Sequence, residues 1–170
     1  ASTWRHGQEM KRIGKGNADR RWDVLPQQPA LAYDIAQNRL IVTAAVLQAP
    51  VFDVSAGDAA LFGSYGALVG HELTRGFDNS GRRVDARGEV RDWWTPADIT
   101  AWNALGERVA QQFSGYAYPG LANAKVNGKL TQEANLADLS GVELAWDAYS
   151  NEQAAPTADA RKTLFRSWSQ

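Results

Sequence analysis

The chain has 170 residues, about the right length for one domain with a sizeable core. Its composition, 44% hydrophobic and 22% charged, excludes a disordered chain, and a net charge of −1 gives no reason to expect nucleic acid or an anionic membrane as partner. No apolar run is long enough to span a bilayer, and the absence of cysteine excludes disulfides and thiolate-bound zinc.

Residues 1–29 read as a basic, irregular lead-in with room for a short helix, broken by GKGNADRRW and PQQP. The chain opens on Ala1, without an initiator Met or a signal peptide, so a processed or fragmentary product is expected. Residues 39–47 carry the clearest strand signal. The longer run LIVTAAVLQAPVF (Leu40 to Phe52) reads as a buried strand or turn ending near Pro50. A helix follows, with Ser55 or Asp58 as N-cap and Leu61, Tyr65, Leu68, Val69 and Leu73 at helical spacing. Gly63, Gly66 and Gly70 would each cost about 1 kcal/mol against alanine on an exposed helix. Three in one helix imply that something packs very close to it.

Residues 78–94 read as loop, with turns at Asn79 to Gly81 and Ala86 to Gly88. The next helix has Thr95 as N-cap, Pro96 at its first position and an apolar face of Ile99, Trp102, Val109 and Phe113. VNGKL (Val126 to Leu130) is a tight turn. A further helix opens near Thr131 with Leu136, Leu139, Val142, Trp146 and Tyr149 as its stripe, and a last helix follows Pro156. The seven tryptophans predict aromatic anchors between helices. The result is one domain, mainly α with a small β-sheet (α+β).

VGHELTRGFD, Val69 to Asp78, carries the candidate chemistry. A His-Glu-x-x-His helix presents two imidazoles at i and i+4 to zinc, and its glutamate activates a bound water. Here Arg75 fills the fifth position, and a guanidinium, charged and donor-only, cannot ligate a cation. There are two histidines, His6 and His71, so a two-imidazole site would have to recruit His6. By itself H-E-x-x-R has little specificity.

The wider context adds to it. VTAAVLQAPVFD, GSYGALVGHELTRGFDNSGRRVDARGEVRDWWT, VNGKLTQEANLADLSGVELAWDAY and LFRSWSQ occur in that order. Together they resemble the M13 metallopeptidases, the neprilysin-like family, from about Trp22 to Gln170. The resemblance implies part of a zincin, thermolysin-like catalytic lobe. It places His71 at the first zinc histidine, Glu72 at the general base and Arg75 at the second histidine. In EANLAD, matched to G-E-N-x-A-D, it places Ala134 at the third ligand, a glutamate in the family. Glu133, the neighbour, is turned about 100° from that face. Asp138 matches the aspartate that accepts a hydrogen bond from the first histidine, and Asp78 the acidic residue after the helix. In PALAYD, Ala30 and Leu31 stand where the family's substrate-binding Asn and Ala stand, while Tyr33 is kept. The family's transition-state His and Arg lie beyond the final helix, past Gln170.

These assignments imply a zinc-free, inactive domain, a pseudoenzyme acting as a scaffold or as a binder of peptide or protein, with no cofactor expected. Two readings compete with it: a working zinc endopeptidase completed by Glu133, His6 or a partner chain, and a fragment without independent function. Arg75 is expected to replace the metal's charge by bridging Glu72, Asp138 or both. The resemblance also implies a periplasmic or extracellular location. The lack of cysteine points to a bacterial source, and apolar surface uncovered by a missing lobe points to self-association.

Overall fold

The computed structural model describes residues 2–11, 13–14, 24–121, 123–153 and 155–170. The GKGNADRRW breaker, from residue 15 onward, and Trp22 lie outside the described residues. The element order is α1 (Ser2–Met10), β1 (Leu31–Asp34), β2 (Arg39–Val42), α2 (Asp58–Leu61), α3 (Ala67–Leu73), α4 (Pro96–Ser114), α5 (Gln132–Glu152) and α6 (Ala158–Trp168). The fold is thus mainly helical with one two-stranded sheet, as the composition and periodicity predict.

The strand predicted over 39–47 is shorter and less buried than expected. β2 stops at Val42 and pairs antiparallel with β1 in the register Leu31↔Val42 and Tyr33↔Leu40. Every residue of the two strands is half-buried. Thr43 ends the pairing. It is buried, its amide donates to the Ala30 carbonyl at 3.0 Å, and its hydroxyl donates to the Gln28 carbonyl at 2.6 Å. Residues 44–50 then run through turns. Asn38, at φ 47°, closes the hairpin in the left-handed region that asparagine tolerates.

The helix predicted after Ser55 is a composite rod. A 3₁₀ turn, Val54–Ala56, precedes α2 and is capped by Asp53, which accepts from the Ser55 amide. Gly57 leads into α2 without a side-chain cap, so neither Ser55 nor Asp58 is the N-cap. A π turn, Phe62–Gly66, joins α2 to α3, and Thr74–Phe77 continue α3 as 3₁₀. The close packing implied by the glycines is present at two of the three. A Cβ on Gly63 would lie 2.1 Å from the Leu164 carbonyl oxygen, and one on Gly70 would lie 2.6 Å from that of Gly141. Gly66 has ordinary space, its nearest neighbours being 3.6 Å away.

These contacts seat α3 on α5 and the π turn on α6. The core is Ala67, Val142, Ala145, Tyr149 and Leu164, with Phe62, Trp146 and Phe165 packed around it. Ser167 docks α6 by donating to the Ala60 carbonyl at 2.8 Å. Leu139, expected in the α5 stripe, is instead 38% exposed. The tryptophans do form anchors: Phe77, Trp93, Trp94 and Trp102 meet edge to face in series, and Arg82 lies over Trp94. Trp4, at 70% exposure, is an exception.

The predicted Thr95 cap is a full capping box. Thr95 accepts from the Asp98 amide, and Asp98 accepts from the Thr95 amide. Thr95→Ala is expected to cost about 1 kcal/mol, read as a lower urea midpoint at unchanged slope.

Three turn-forming carboxylates are held below the usual range. Asp98 is lowered by the Thr95 hydroxyl and then its amide, and Asp53 by the Ser55 hydroxyl and then its amide. Asp85 is lowered by the amides of Arg87 and Glu89, with Arg91 and Arg87 adding to them against burial. A depressed folded-state pKa favours folding above the unfolded value of about 4. That contribution is lost as pH falls through the folded values. Thermal midpoints are therefore expected to drop as pH falls below about 4, and Asp98→Asn should flatten part of that slope.

Candidate functional site

α3 and α5 cross with their backbones in contact at Gly70 and Gly141, and this contact sets the site. A Cβ on Gly141 would lie 2.6 Å from the Ala67 carbonyl oxygen and 2.6 Å from the His71 amide nitrogen. His71 is the residue after Gly70, so its ring is carried to α5 at the height of Asp138. His71 Nδ1 and Asp138 Oδ1 are 2.6 Å apart. An ionised carboxylate accepts, so Nδ1–H donates, which leaves the lone pair on Nε2 in the neutral ring. Nε2 lies 4.0 Å from Glu72 Oε1. The other oxygen, Glu72 Oε2, accepts the Tyr33 amide of β1 at 3.1 Å.

His71, Glu72 and Asp138 are therefore brought together, with β1 alongside. Pattern reading missed the Tyr33 amide because a backbone donor leaves no mark in the sequence. Its direction identifies an edge. Tyr33 N–H points away from β2, and by the alternation of an antiparallel pair the Leu31 N–H and C=O point the same way. Ala30 precedes the strand, and its amide donates to Thr43 Oγ1 at 2.9 Å. Its methyl cannot replace an asparagine amide.

Arg75 does not bridge Glu72 and Asp138. Its Nη1 lies 3.7 Å from Asp78 Oδ2, and no ion pair links it to either of those carboxylates. The reason lies in the backbone. The 3₁₀ turn Thr74–Phe77 ends at Asp78, three residues after Arg75, and this puts that carboxylate within reach of the guanidinium. Asp78 is buried and also accepts the Ser80 and Gly81 amides at 2.7 and 2.8 Å, so it organises the loop as well as meeting Arg75. The Arg75 side chain is 39% exposed, and such a pair contributes little.

Ala134 lies one turn before Asp138 on α5 and is exposed. Glu133 is turned to a different partner: Asn79 Nδ2 donates to its Oε1 at 2.9 Å. His6 is exposed on α1. No group of three or more His, Asp or Glu able to hold a metal occurs among the described residues, so neither Glu133 nor His6 completes a set there. The point that His71 Nε2 faces is thus offered one imidazole, with a guanidinium turned away at 75 and a methyl at 134.

The crossing of a His-Glu helix with an Asn-x-Ala-Asp helix beside a strand edge defines the class as a metallopeptidase-type lobe. The profile of Peptidase family M13 matches residues 32–170, and the chain belongs to peptidase family M13, a zinc-dependent family. It is 33% identical over 153 residues to Neprilysin-3 of Drosophila melanogaster, covering 90% of this chain and 19% of that protein. It is 36% identical over 143 residues to Endothelin-converting enzyme 1 of Mus musculus, covering 80% and 18%. Among solved structures it is similar to the Mycobacterium tuberculosis zinc metalloprotease ZMP1 in complex with inhibitor. That likeness has a TM-score of 0.83 and 31% identity, covering 98% of this chain and 27% of that one. It is also similar to PepO from Lactobacillus rhamnosis HN001, with a TM-score of 0.76, 32% identity and 87% and 22% coverage. The fold is accordingly part of a zincin-like lobe. The chain spans less than a quarter of the length of those curated relatives.

Proposed function

We propose that this chain is a degenerate M13 peptidase domain that holds no zinc and hydrolyses no peptide, and that it serves as a scaffold or binds an extended peptide or protein segment. The observation that carries the reading is that two ligand positions, on two different elements, hold residues that cannot ligate: Arg75 and Ala134. A catalytic zinc site of this type takes three protein ligands and leaves one position for water. His71 alone does not meet that requirement. Without the metal there is no activated water for Glu72 to deprotonate, and Glu72 is instead a backbone acceptor for Tyr33. His71 and Asp138 keep their hydrogen bond as a polar cross-link between α3 and α5.

The binding role is supported by the outward Leu31 amide and carbonyl, which can add a strand to β1. Specificity would differ from that of the family, since Ala30 brings no side-chain donor. Residues 1–170 act as one domain with residues 1–29 as a lead-in, in a periplasmic or extracellular setting. No helix among the described residues is long and apolar enough to cross a membrane.

The test is zinc content by elemental analysis after dialysis, together with cleavage of a generic peptide with and without chelator. Substoichiometric zinc and no chelator-sensitive cleavage are expected. One tightly held zinc per chain, or cleavage abolished by chelator, would sink the reading.

A further inference from the structure

We propose that the Glu72 carboxylate is a gate on the outer edge of β1: it occupies the Tyr33 amide, and an extended peptide adding to that edge must displace it to pair beyond Leu31. The inference rests on the reading of β1 as a peptide-binding edge and names what regulates it. β1 is four residues long, and β2 takes one side of it in the register Leu31↔Val42 and Tyr33↔Leu40. In an antiparallel pair alternate residues direct both backbone groups away from the partner strand. Tyr33 is one of these, because its amide donates to Glu72 Oε2 at 3.1 Å. The outward set is therefore the amide and carbonyl of Leu31 and the amide and carbonyl of Tyr33. Glu72 already holds one member of that set.

A carboxylate forms a charge-assisted hydrogen bond, stronger than the one a peptide carbonyl would make to the same amide. A carbonyl brought to Tyr33 would also lie beside an anion, acceptor against acceptor. Pairing therefore stops at Leu31 while Glu72 is in place. The carboxylate is nonetheless free to leave. Its Oε1 is 4.0 Å from His71 Nε2, beyond hydrogen-bond distance, and Arg75 is paired with Asp78 instead. Among the described residues the Tyr33 amide is the one hydrogen-bond donor to it. The side chain is 21% exposed, so it has solvent to swing into. Its backbone is fixed, because α3 is seated on α5 at Gly70, two residues away. The gate thus opens by rotation of one side chain, with no movement of the helix. While closed, the same anion guards a strand edge against unspecific pairing.

The experiment follows amide exchange at Leu31 and Tyr33 by NMR in the parent, Glu72→Ala and Glu72→Gln. Each is measured with and without a pool of end-capped decapeptides randomised over valine, threonine, serine and lysine. Glu72 lies outside the core cluster, so both variants should fold. Without peptide, the Tyr33 amide of Glu72→Ala is expected to exchange at least about tenfold faster than that of the parent. Glu72→Gln should stay close to the parent, because its side-chain oxygen still accepts. With peptide, Leu31 is expected to be protected in all three proteins. Tyr33 protection should return in Glu72→Ala, with half-saturation at about tenfold less peptide than the parent needs. Three results would overturn the gate: Tyr33 exchange unchanged by Glu72→Ala, equal half-saturation in Glu72→Ala and the parent, or Glu72→Gln matching Glu72→Ala, which would make charge the cause. Protection of Leu31 alongside any of them would leave the peptide-binding reading standing. Peptide that protects Leu31 in none of the three proteins would overturn that reading and the gate with it.

Discussion

The double substitution Arg75→His with Ala134→Glu is expected to bring one zinc ion per chain to a protein that, on the proposed reading, otherwise holds none tightly. His71 already has one feature of a zinc ligand: its Nδ1–H is held by Asp138, and its Nε2 lies 4.0 Å from Glu72 Oε1. Glutamate at 134 would come from the α5 turn before Asp138, so the carboxylate and the His71 ring would meet across the Gly70–Gly141 contact. A lone imidazole binds zinc at about millimolar affinity, whereas a three-ligand site reaches about nanomolar, a difference of about 8 kcal/mol. Arg75→His alone is expected to recover little, because it supplies two ligands where such a site takes three. Zinc should raise the melting temperature of the double variant and leave that of the parent unchanged. If the double variant takes up no zinc by elemental analysis, the geometry has drifted beyond what two side chains can restore. Peptide hydrolysis is a separate readout, because the resemblance places the transition-state His and Arg outside these 170 residues.

Gly141→Ala is expected to cost a large part of the stability that the α3–α5 crossing provides. The added methyl would sit 2.6 Å from two backbone atoms of α3, the Ala67 carbonyl oxygen and the His71 amide nitrogen. Neither is the free end of a side chain, so the helices must separate, at a cost of about 3 kcal/mol. Separation also draws His71 from Asp138, so an NMR signal of the Nδ1 proton should be lost even where the variant stays folded. Gly66→Ala is the control. Its Cβ would meet atoms at 3.6 Å or beyond, and alanine favours a helix, so stability is expected to rise by up to about 1 kcal/mol. A gain of stability at both glycines would show that helix propensity outweighs the backbone contact.

Much of this molecule could be read from local pattern. The Thr95–Pro96–Asp98 start of α4, the turn at Val126–Leu130 and the break at Pro156 are local signals, and each is found where its chemistry predicts. Family resemblance paired Asp138 with His71, and the two side chains lie 2.6 Å apart. Features that depend on partners far along the chain were less legible. The N-cap before α2 was misplaced because Asp53 caps a separate 3₁₀ turn, a distinction that periodicity cannot draw. Leu139 belongs to the α5 stripe by spacing and is exposed in the fold.

The amino-acid sequence by itself determined which donors the site can have. No folding of this chain makes Arg75 or Ala134 a zinc ligand, since a guanidinium has no free lone pair and a methyl has none to offer. Tertiary structure decided where the remaining charges go. Arg75 turns to Asp78, Glu133 to Asn79 and Glu72 to the Tyr33 amide, because the winding after Leu73 and the glycine-close crossing of α3 on α5 set each side chain's direction. The chemistry of a side chain is local, but its partner is chosen by backbone geometry that long-range packing imposes.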